Sequence, residues 1–470
     1  MKKTLYIETL GCQMNVLDSE LIVSGLLEKG YELVDTPRLA DVVLFNTCSV
    51  RQHAEDKVYS ALGRLKHAKK YNPLKIIGVI GCMAQKDQAL ILRRAPHVDL
   101  VVGPSRLAEL PELLDLVAAG DTPKIAVSLD RYTAGEQRSR ESFVPFNPDR
   151  LVEAREAPHQ AMVRAIYGCN NFCTYCIVPS VRGPEQSRPI DEIDAEVRRL
   201  AEQAERQGTC LEVTLLGQAV NKYEYKEDGK TYRLSDVLHR VHDAPGLTRL
   251  KFVTNYPRYM TDDLLHAVHD LPKVSPYLHA PAQSGSDRML QRMNRRYTIA
   301  EYRDMLRRIH EIVPDAAVTS DFIVGFCGET DDDFQATVDL VREARFKNSF
   351  IFKYSPRPGT NAATELEDDV PEEVKRQRNN ELLAIQNAIS EEDNRQFVGR
   401  TVEILVEGPS KASIKQDHSD EGDASKQNQM TGRTVCDRIV VFDGPRELTG
   451  RLVNVTIENA ASFTLFGRLL

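Results

Sequence analysis

Residues 167–182 of the chain read YGCNNFCTYCIVPSVR, in which Cys169, Cys173 and Cys176 are separated by three and then two residues. Three thiolates in one short loop can bind three corners of a single inorganic centre and leave its fourth corner without a protein ligand. A zinc ion would need another Cys or His close by to complete its tetrahedron, and none follows within a turn of Cys176. The spacing favours a 4Fe-4S cluster with one iron kept for a small molecule, over zinc or a chance group of structural thiols.

The cluster loop follows the first of several candidate strands that alternate with helical patterns. The alternation predicts six β/α units, a partial or open version of the parallel barrel, in which chemistry belongs in loops at the carboxyl ends of the strands. Helical patterns lie between the strands at 191–207, 261–270, 298–313 and 331–344. The candidate strands are 162–167, 211–216, 250–254, 276–280, 318–324 and 350–354.

Polar residues on this rim and just past the cluster loop are candidate contacts for a cofactor or base. Each has an ordinary alternative, because turn residues and surface ion pairs are common. The candidates are Arg182, Glu185, Arg188, Gln218, Gln283 and Ser284.

A second set of three cysteines lies in the first 120 residues, where helical patterns separate short apolar strands. The alternation predicts an open parallel α/β sheet with strands at 4–8, 42–46, 76–80 and 100–102 and helices at 20–29 and 54–70. Cys12, Cys48 and Cys82 each follow one of the first three strands. Because the carboxyl ends of parallel strands share one edge of a sheet, these thiols can converge on a second cluster with an open iron. Three separate core cysteines are the alternative.

The chain is predicted to be of the α/β class with three domains. Residues 1–120 form the open parallel α/β domain, residues 155–393 the partial (β/α)6 barrel, and residues 396–470 a small all-β barrel. A long charged helix is expected at 371–397, near the second boundary.

Two polar segments and three further cysteines complete the pattern. Residues 121–157 read as a linker, and the insertion 410–431 as a mobile loop. Cys210, Cys327 and Cys436 lie within or beside apolar strand patterns, so we expect them in the core.

The composition limits the classes of function. The chain has 470 residues and a formal net charge of −8, so any RNA site must be a local patch. Its apolar runs fall far short of the ~20 residues that a membrane span needs, and we expect a cytoplasmic protein with reduced cysteines. Two runs are candidate phosphate contacts, with a solvated charged face as the alternative: Arg288, Arg292, Arg295 and Arg296, and Arg64, Lys66, Lys69 and Lys70.

Longer stretches carry a family resemblance. The CxxxCxxC loop resembles the signature of the radical S-adenosylmethionine (radical SAM) enzymes. ETLGCQMNVLDSE (8–20), NTCSVR (46–51) and GVIGCMAQ (78–85) are similar to the N-terminal domain of the methylthiotransferases. LHAPAQSGSDRML (278–290) and FKYSPRPGT (352–360) resemble their radical SAM domain, and the C-terminal barrel resembles their RNA-binding TRAM domain. Cys327 stands where the family usually has Pro, and GQAVNKY and LHAPAQSGS also depart from its pattern.

The resemblance implies a tRNA-modifying transferase that adds a methylthio group to carbon 2 of an adenine. CQMN followed by NTCSVR most resembles the branch that acts on N(6)-dimethylallyladenosine at position 37 of the anticodon loop. Two 4Fe-4S clusters and two S-adenosylmethionine molecules per turnover are implied. The Cys169/Cys173/Cys176 cluster would generate a 5′-deoxyadenosyl radical, and the Cys12/Cys48/Cys82 cluster would deliver sulfur.

The resemblance also implies partners. These are the tRNA anticodon loop, an electron donor such as flavodoxin or ferredoxin, and a sulfur or cluster supply protein. We expect a monomer without a membrane partner. One alternative keeps the chemistry but acts on threonylcarbamoyladenosine tRNA or a ribosomal-protein side chain. The other is a non-catalytic iron-sulfur RNA-binding protein.

Overall fold

The computed structural model describes residues 2–49, 52–120, 125–127, 148–155, 157–416 and 428–470, so most of the predicted linker and residues 417–427 of the insertion lie outside the described residues. The chain forms two compact units. One holds the described residues before 157 together with Tyr167–Phe172 and Cys176–Gln186, and the other holds Ala157–Ile166, Cys173–Tyr175 and Ser187–Leu470. Across the described ranges, no helix is long and apolar enough to cross a membrane.

The first unit is a parallel sheet with helices on both faces. Its elements are β1 (Thr4–Leu10), α1 (Gln13–Glu28), β2 (Glu32–Leu33), β3 (Val42–Thr47), α2 (Gln52–Tyr71), β4 (Ile76–Gly81), α3 (Cys82–Asp87), α4 (Ala89–Arg94), β5 (Leu100–Val102), α5 (Leu110–Ala118), β6 (Ile125–Ala126) and α6 (Val178–Arg182). The strand order is β2-β1-β3-β4-β5-β6. Strands β3, β4 and β5 are buried along their whole length, as expected where α1 and α5 cover one face and α2 to α4 the other.

Helix α1 starts at Gln13, earlier than the pattern at 20–29 predicts. Met14, Asn15, Leu17 and Asp18 are all buried, and because two of these residues are polar, the buried side of the first turns lacks the apolar periodicity that marks a surface helix. The chain turns into this helix directly after Cys12, whose carbonyl oxygen accepts hydrogen bonds from Asn15 and Val16.

The second unit begins with a series of parallel strands and helices. Its elements up to residue 395 are β7 (Gln160–Arg164), α7 (Ile190–Arg206), β10 (Leu211–Leu216), β11 (Glu224–Glu227), β12 (Lys230–Arg233), α8 (Leu234–His242), β13 (Leu247–Phe252), α9 (Asp262–Asp270), β14 (Tyr277–His279), α10 (Asp287–Arg292), α11 (Ile299–Ile312), β15 (Ala317–Val324), α12 (Asp331–Ala344), β16 (Asn348–Lys353), α13 (Asn361–Glu365) and α14 (Glu372–Arg395), with the short strands β8 (Ile166–Tyr167) and β9 (Gln186–Ser187) at the cluster loop.

The predicted six-strand series forms two three-stranded parallel sheets, in the orders β13-β10-β7 and β14-β15-β16. Two contacts join β13 to the region of β14. One is a backbone bridge between Leu250 and Val274. The other is a hydrogen bond that the Asn255 side chain donates to the His279 carbonyl oxygen (2.9 Å). The helices lie on the outside, where α7 to α9, α11, α12 and α14 bury one large apolar core against both sheets.

The C-terminal region is a closed five-stranded barrel, as predicted. Its strand order is β17-β18-β19-β21-β20. The elements are β17 (Thr401–Pro409), α15 (Lys411–Gln416), β18 (Gln429–Thr434), β19 (Ile439–Asp443), β20 (Leu452–Ala460) and β21 (Thr464–Leu469). Helix α15 occupies the start of the insertion that was expected to be a loop throughout. The barrel belongs to the same compact unit as the two parallel sheets, and the three domain boundaries stay predictions.

Buried ions attach this barrel to the sheets of its unit. Lys251 on β13 pairs with Glu212 on β10 (2.9 Å) and with Asp437 in the turn between β18 and β19 (2.8 Å). Lys347 donates to the backbone carbonyl oxygens of Cys436 (3.1 Å) and Asp437 (2.6 Å). The expectation that Cys436 lies in the core is wrong. Its side chain is half-buried in this turn, and its backbone carbonyl oxygen, which accepts the hydrogen bond from Lys347, makes the contact with the sheet.

Replacing Asp437 by Ala should destabilise the chain strongly. The change removes one of the two carboxylates that pair with the Lys251 ammonium. Breaking a buried ion pair by removing one partner costs about 3–5 kcal/mol. Burial by itself raises the pKa of Asp437, but Lys251 and Arg433 outweigh it and hold this pKa below its usual value. The carboxylate therefore contributes stability at neutral pH that is lost as the pH falls through the lowered pKa.

Thermal unfolding followed from pH 7 to pH 3 measures both effects. The control is Arg345→Ala, which removes an ion pair with Glu392 whose side chains are 50% and 64% exposed and should cost less than about 1 kcal/mol. Equal melting temperatures for the two variants would contradict the anchoring role of Asp437.

Candidate functional site

Cys12, Cys48 and Cys82 lie at the carboxyl ends of β1, β3 and β4, which are neighbours in the first sheet. The side chains of Cys12 and Cys48 are hydrogen-bonded, and this contact together with the charge of Arg182 lowers the pKa of Cys12 to about 5. Burial raises the pKa of Cys82, against the opposing effect of Arg182. The structure thus brings the three predicted thiols to one edge of one sheet.

A buried network of amides supports this edge. Asn15 accepts a hydrogen bond from the Cys12 thiol (3.2 Å) and donates to Asn46 Oδ1 (2.9 Å). Asn46 donates in return to the Asn15 carbonyl oxygen (2.8 Å) and to Ser19 Oγ (2.9 Å). Gly81, with φ +87°, passes so close that a Cβ there would overlap Asn46 Oδ1. Asn15 and Asn46 are thus positioning residues that the cysteine spacing alone did not single out, although both lie in the quoted motifs.

Arg182 stands at the same thiols. Its guanidinium donates to Asp18 Oδ2 (2.9 Å), and the two side chains are only 8% and 3% exposed. Burial by itself lowers the pKa of Arg182, but Cys82, Asp18 and Cys12 outweigh it and raise this pKa above its usual value. A covered cation next to Cys12 and Cys82 reduces the cost of holding these two thiols as thiolates. The structure therefore assigns Arg182 to the first set of cysteines.

The CxxxCxxC loop is held by backbone geometry that few residues adopt. Gly168 has φ +56°, and a Cβ there would overlap the carbonyl oxygens of Gly183 and Pro184. Phe172 has φ +49° without being Gly, a strain that is typical of functional sites. Cys169 and Cys173 are buried and Cys176 is half-buried. The Cys169 N–H donates to the Gly183 carbonyl oxygen (3.2 Å), and the Thr174 N–H to that of Met293 (3.1 Å).

Arg295 contacts Cys173 directly. Its Nη1 donates to the Cys173 Sγ (3.4 Å), and its Nη2 donates to the carbonyl oxygen of Pro281, just after β14 (3.1 Å). The guanidinium lies 4.3 Å from the ring centre of Tyr256 and 5.1 Å from that of Tyr297, a cage that fixes its position. The sequence made Arg295 a candidate phosphate contact. In the structure its guanidinium instead contacts Cys173 of the CxxxCxxC loop.

The other candidate cofactor contacts have structural partners or lie in turns. Arg188 is buried and donates to Glu196 (2.7 Å) and to the Arg164 carbonyl oxygen (2.8 Å), so it forms a buried ion pair rather than a surface one. Ser284 is fully buried with its Oγ 3.4 Å from that of Thr337. Their role as cofactor contacts stays a prediction.

Gln283, Gln218 and Glu185 are the remaining candidates. Gln283 has φ +71° and bonds through its backbone to Asp321 and Ile323 of β15. Gln218 is half-buried after β10. The Glu185 N–H donates to Asn170 Oδ1 (2.9 Å). Strain at Gln283, on the rim of its sheet, is the kind of signal that marks a ligand-facing turn.

The remaining basic residues divide into paired and exposed groups. Arg288 pairs with Asp333, Arg292 donates to the Cys327 carbonyl oxygen (2.9 Å), and Lys69 pairs with Asp99 (2.8 Å). Exposed side chains remain at Arg64, Lys66, Lys70 and Arg296.

The last two cysteines differ in burial. Cys327 is fully buried among Met289, Met293, Phe326 and Tyr354, which confirms the prediction for it. The prediction that Cys210 lies in the core is wrong, because this residue is half-buried just before β10, where its N–H donates to the Gly450 carbonyl oxygen (2.8 Å).

Within the described part of the chain, no group of three or more His, Cys, Asp or Glu side chains is close enough to hold one metal ion. The thiolates of a 4Fe-4S cluster bind different irons and stand farther apart than the ligands of a single ion. Both cysteine sets fit such a cluster in chemistry, because each has a cationic arginine against a sulfur ligand. The six cluster ligands stay predictions.

Three family models match the chain. Residues 4–103 match the model described as "Uncharacterized protein family UPF0004", residues 163–341 the radical SAM superfamily, and residues 395–470 the TRAM domain. The radical SAM match includes Cys169, Cys173 and Cys176 and implies a 4Fe-4S cluster and S-adenosylmethionine.

Curated relatives match from end to end. A protein of Rhodopirellula baltica named tRNA-2-methylthio-N(6)-dimethylallyladenosine synthase is 56% identical over 470 residues, which cover 100% of this chain and 96% of that protein. This chain belongs to the same family. A synthase of the family from Delftia acidovorans is 42% identical, with 100% and 99% covered, and one from Porphyromonas gingivalis is 40% identical, with 100% and 95% covered.

Solved structures share the fold of these synthases. A radical S-adenosylmethionine methyltransferase, TsrM, from Kitasatospora setae with tryptophan substrate and a SAM analogue has a TM-score of 0.55 at 14% identity, covering 78% of this chain and 76% of that one. The cobalamin-dependent radical enzyme OxsB has a TM-score of 0.53 at 11% identity, covering 80% and 56%. At these identities the likeness shows a shared fold.

Replacing Arg295 by Gln should lower the reduction potential of the radical SAM cluster. The change removes a charged hydrogen bond from the Cys173 sulfur, a contact of about 1.5 kcal/mol. For a one-electron couple this corresponds to about 60 mV. An anaerobic redox titration followed by EPR measures the shift. Arg296→Gln, at the exposed neighbouring position, should leave the potential unchanged, and an equal shift in both variants would contradict a specific role for Arg295.

Proposed function

We propose that this chain is a radical SAM methylthiotransferase that adds a methylthio group to carbon 2 of N(6)-dimethylallyladenosine at position 37 of the tRNA anticodon loop. Full-length relatives at 40–56% identity carry the name of this activity. The match extends over the N-terminal region, the radical SAM domain and the TRAM domain. Because the proposed substrate is tRNA, a cytoplasmic location is part of the proposal.

The observation that carries the proposal is the presence of two separate thiol sets, each with its own arginine. Cys12, Cys48 and Cys82 lie at the carboxyl ends of three neighbouring strands. Arg182 lies beside Cys12 and Cys82 of this set. Cys173 of the second set accepts a hydrogen bond from Arg295. When bound, two 4Fe-4S clusters would supply radical generation from S-adenosylmethionine at one site and sulfur for transfer at the other. An enzyme with only radical chemistry to perform would not need the first set.

The chain's own residues have distinct tasks in this scheme. Asp18 holds Arg182 at the N-terminal thiols, and the amides of Asn15 and Asn46 fix the loop that bears Cys12. Tyr256 and Tyr297 hold Arg295 against the radical SAM loop. These contacts keep both ligand sets preorganised, which is the contribution that a protein makes to cofactor chemistry.

Two S-adenosylmethionine molecules per turnover are proposed, one as the radical source and one as the methyl donor. The TRAM barrel is proposed to bind tRNA, and Arg296 or the exposed Arg64, Lys66 and Lys70 are available for phosphates. The residues from 396 to 470 include nine Lys/Arg and ten Asp/Glu, so this barrel would read RNA by local contacts rather than by net charge. A flavodoxin or ferredoxin donor, a sulfur supply protein and a monomeric state complete the proposal.

Two alternatives are less well supported. A methylthiotransferase for threonylcarbamoyladenosine or a ribosomal-protein side chain would keep both cysteine sets, but the full-length relatives quoted above are named for the dimethylallyl substrate. A non-catalytic iron-sulfur RNA-binding protein would not require the radical SAM superfamily match or an arginine directed at a cluster thiol.

Replacing Cys12, Cys48 and Cys82 together by Ser should separate the two chemistries. The wild type reconstituted without oxygen should hold about eight irons and the variant about four. The variant should still cleave S-adenosylmethionine to 5′-deoxyadenosine but form no methylthio product. A Cys210→Ser/Cys436→Ser variant, which changes two half-buried thiols outside both sets, should keep all the irons and both activities. Product formation by the triple variant would refute the role of the N-terminal thiols as sulfur carriers.

The substrate is tested in cells and with defined RNA. Mass spectrometry of tRNA hydrolysates from a strain that lacks this protein should show N(6)-dimethylallyladenosine without its 2-methylthio form. The purified enzyme should modify an anticodon stem-loop that carries dimethylallyladenosine and leave one with threonylcarbamoyladenosine unchanged. Intact methylthio product in the deletion strain would exclude the proposed substrate.

A further inference from the structure

The sheet β14-β15-β16 has two different faces. Along β15, the side chains of Val318, Phe322 and Val324 are buried and belong to the core that the helices cover. The alternate residues Thr319, Asp321 and Ile323 point to the opposite face, since successive side chains of a strand alternate. We call this opposite face, formed by Tyr277, His279, Thr319, Asp321, Phe350 and Phe352, the inner face.

Two phenylalanines on β16 are exposed on the inner face. Ile351 is 8% exposed and packs in the core with Leu382 and Ile389 of α14, whereas Phe350 and Phe352 are 49% and 44% exposed. Residues at i and i+2 of a strand lie about 7 Å apart on one side, so the two rings form a continuous apolar shelf. Each ring keeps nearly half of its surface in water, so the fold forgoes part of the stabilisation that burial would give. Two adjacent, half-exposed rings on one strand are a candidate docking surface.

A polar row lies next to this shelf. Asp321 pairs in register with Phe350 across the sheet and stands 3.5 Å from His279 Nε2. His279 Nδ1 is 3.0 Å from Thr319 Oγ1, which donates to the Tyr277 hydroxyl (3.2 Å). The Asp321 carboxylate, whose side chain is 28% exposed, thus lies next to His279 and on the same face as the aromatic rings. The inner face thus offers stacking surfaces and a hydrogen-bond acceptor side by side.

The two ends of the inner face differ. At the amino-terminal end of the strands, Lys347 lies 5.0 Å from the centre of the Tyr277 ring and donates to the Asp437 turn of the C-terminal barrel, which covers that end. At the carboxyl-terminal end, Arg295 joins Pro281, just after β14, to Cys173 of the radical SAM loop. A ligand on the inner face would therefore lie in the same unit as Cys173. Ile323, at the carboxyl-terminal end of β15, packs beside Met289 of α10 and is not part of the open surface.

N(6)-dimethylallyladenine combines the features that this face complements. It has a planar base, a branched apolar group and a single N–H on nitrogen 6. Aromatic side chains stack on bases, and a carboxylate accepts the N–H. A threonylcarbamoyl group would instead bring its own carboxylate towards Asp321 and the apolar rings, and both contacts disfavour it.

We propose that the inner face is the recognition site for the modified base, with Phe350 and Phe352 against the base and its dimethylallyl group and Asp321 accepting the N(6)–H. This assignment rests on the proposed function and adds the residues that select its substrate. The three residues bind and orient the base; the reacting groups are supplied by the cysteine sets.

The test compares the affinities of the full-length reconstituted protein for three anticodon stem-loops that carry adenosine, dimethylallyladenosine or threonylcarbamoyladenosine. The wild type should prefer the dimethylallyl RNA. Phe350→Ala/Phe352→Ala should reduce the preference for the dimethylallyl RNA over the adenosine RNA about tenfold, the equivalent of about 1.4 kcal/mol. Phe350→Tyr/Phe352→Tyr should retain most of it. Asp321→Asn should weaken discrimination against the threonylcarbamoyl RNA.

Phe463→Ala, which removes an exposed ring of the C-terminal barrel, is the matched control. It can change the affinity for all three RNAs but should leave their ratios as in the wild type. Melting temperatures verify folding, which is expected to persist because the two rings are not core residues.

The outcomes separate the inference from the proposed function. Unchanged ratios in the Phe350/Phe352 variant, with wild-type conversion of the dimethylallyl RNA, would overturn the inner face as the recognition site and leave the function standing. Unchanged ratios with a loss of S-adenosylmethionine binding would assign the face to the cofactor's adenine, which also overturns the inference. A wild type that neither prefers nor modifies the dimethylallyl RNA would refute the proposed function itself.

Discussion

Parallel strands bring their carboxyl ends to a common edge, and the candidate chemistry of this protein depends on that constraint. In the first unit it assembles Cys12, Cys48 and Cys82 from loops that are 36 and 34 residues apart in sequence. In the second unit it brings the turn after β14, with Pro281 and Gln283, to the end of the sheet where Arg295 meets Cys173. The same fold principle thus serves two sites that the chain builds separately.

Charge compensation is the second requirement. Thiolates and carboxylates that leave water need a cation close by, because the desolvation cost of an isolated charge exceeds what packing can recover. Arg182 serves Asp18 and the N-terminal thiols, Arg295 serves Cys173, and Lys251 serves Glu212 and Asp437. The first two place cations at proposed cluster ligands, and the third attaches the C-terminal barrel to the sheets that it covers. Stability and chemistry therefore rely on the same kind of contact.

The exposed inner face has the opposite character. Most strands here bury apolar side chains against helices, yet Phe350 and Phe352 remain in solvent next to a carboxylate. A fold that forgoes this burial retains a surface on which a base with an apolar substituent can be recognised. In the proposed scheme, substrate choice and cluster binding rest on different residues of the chain.

The sequence by itself determined the class of the fold, the alternation of strands and helices along the chain, and the two sets of cysteines. These features follow from local patterns: apolar runs mark buried strands, and ligands for one cluster recur at short spacing or at equivalent strand ends. Only the tertiary structure decided which arginine serves which thiol, because Arg182 reaches Asp18 across 164 positions and Arg295 reaches Cys173 across 122. It also decided that the face of β16 with Phe350 and Phe352 stays open, since a strand pattern shows alternation but not which face the helices will cover.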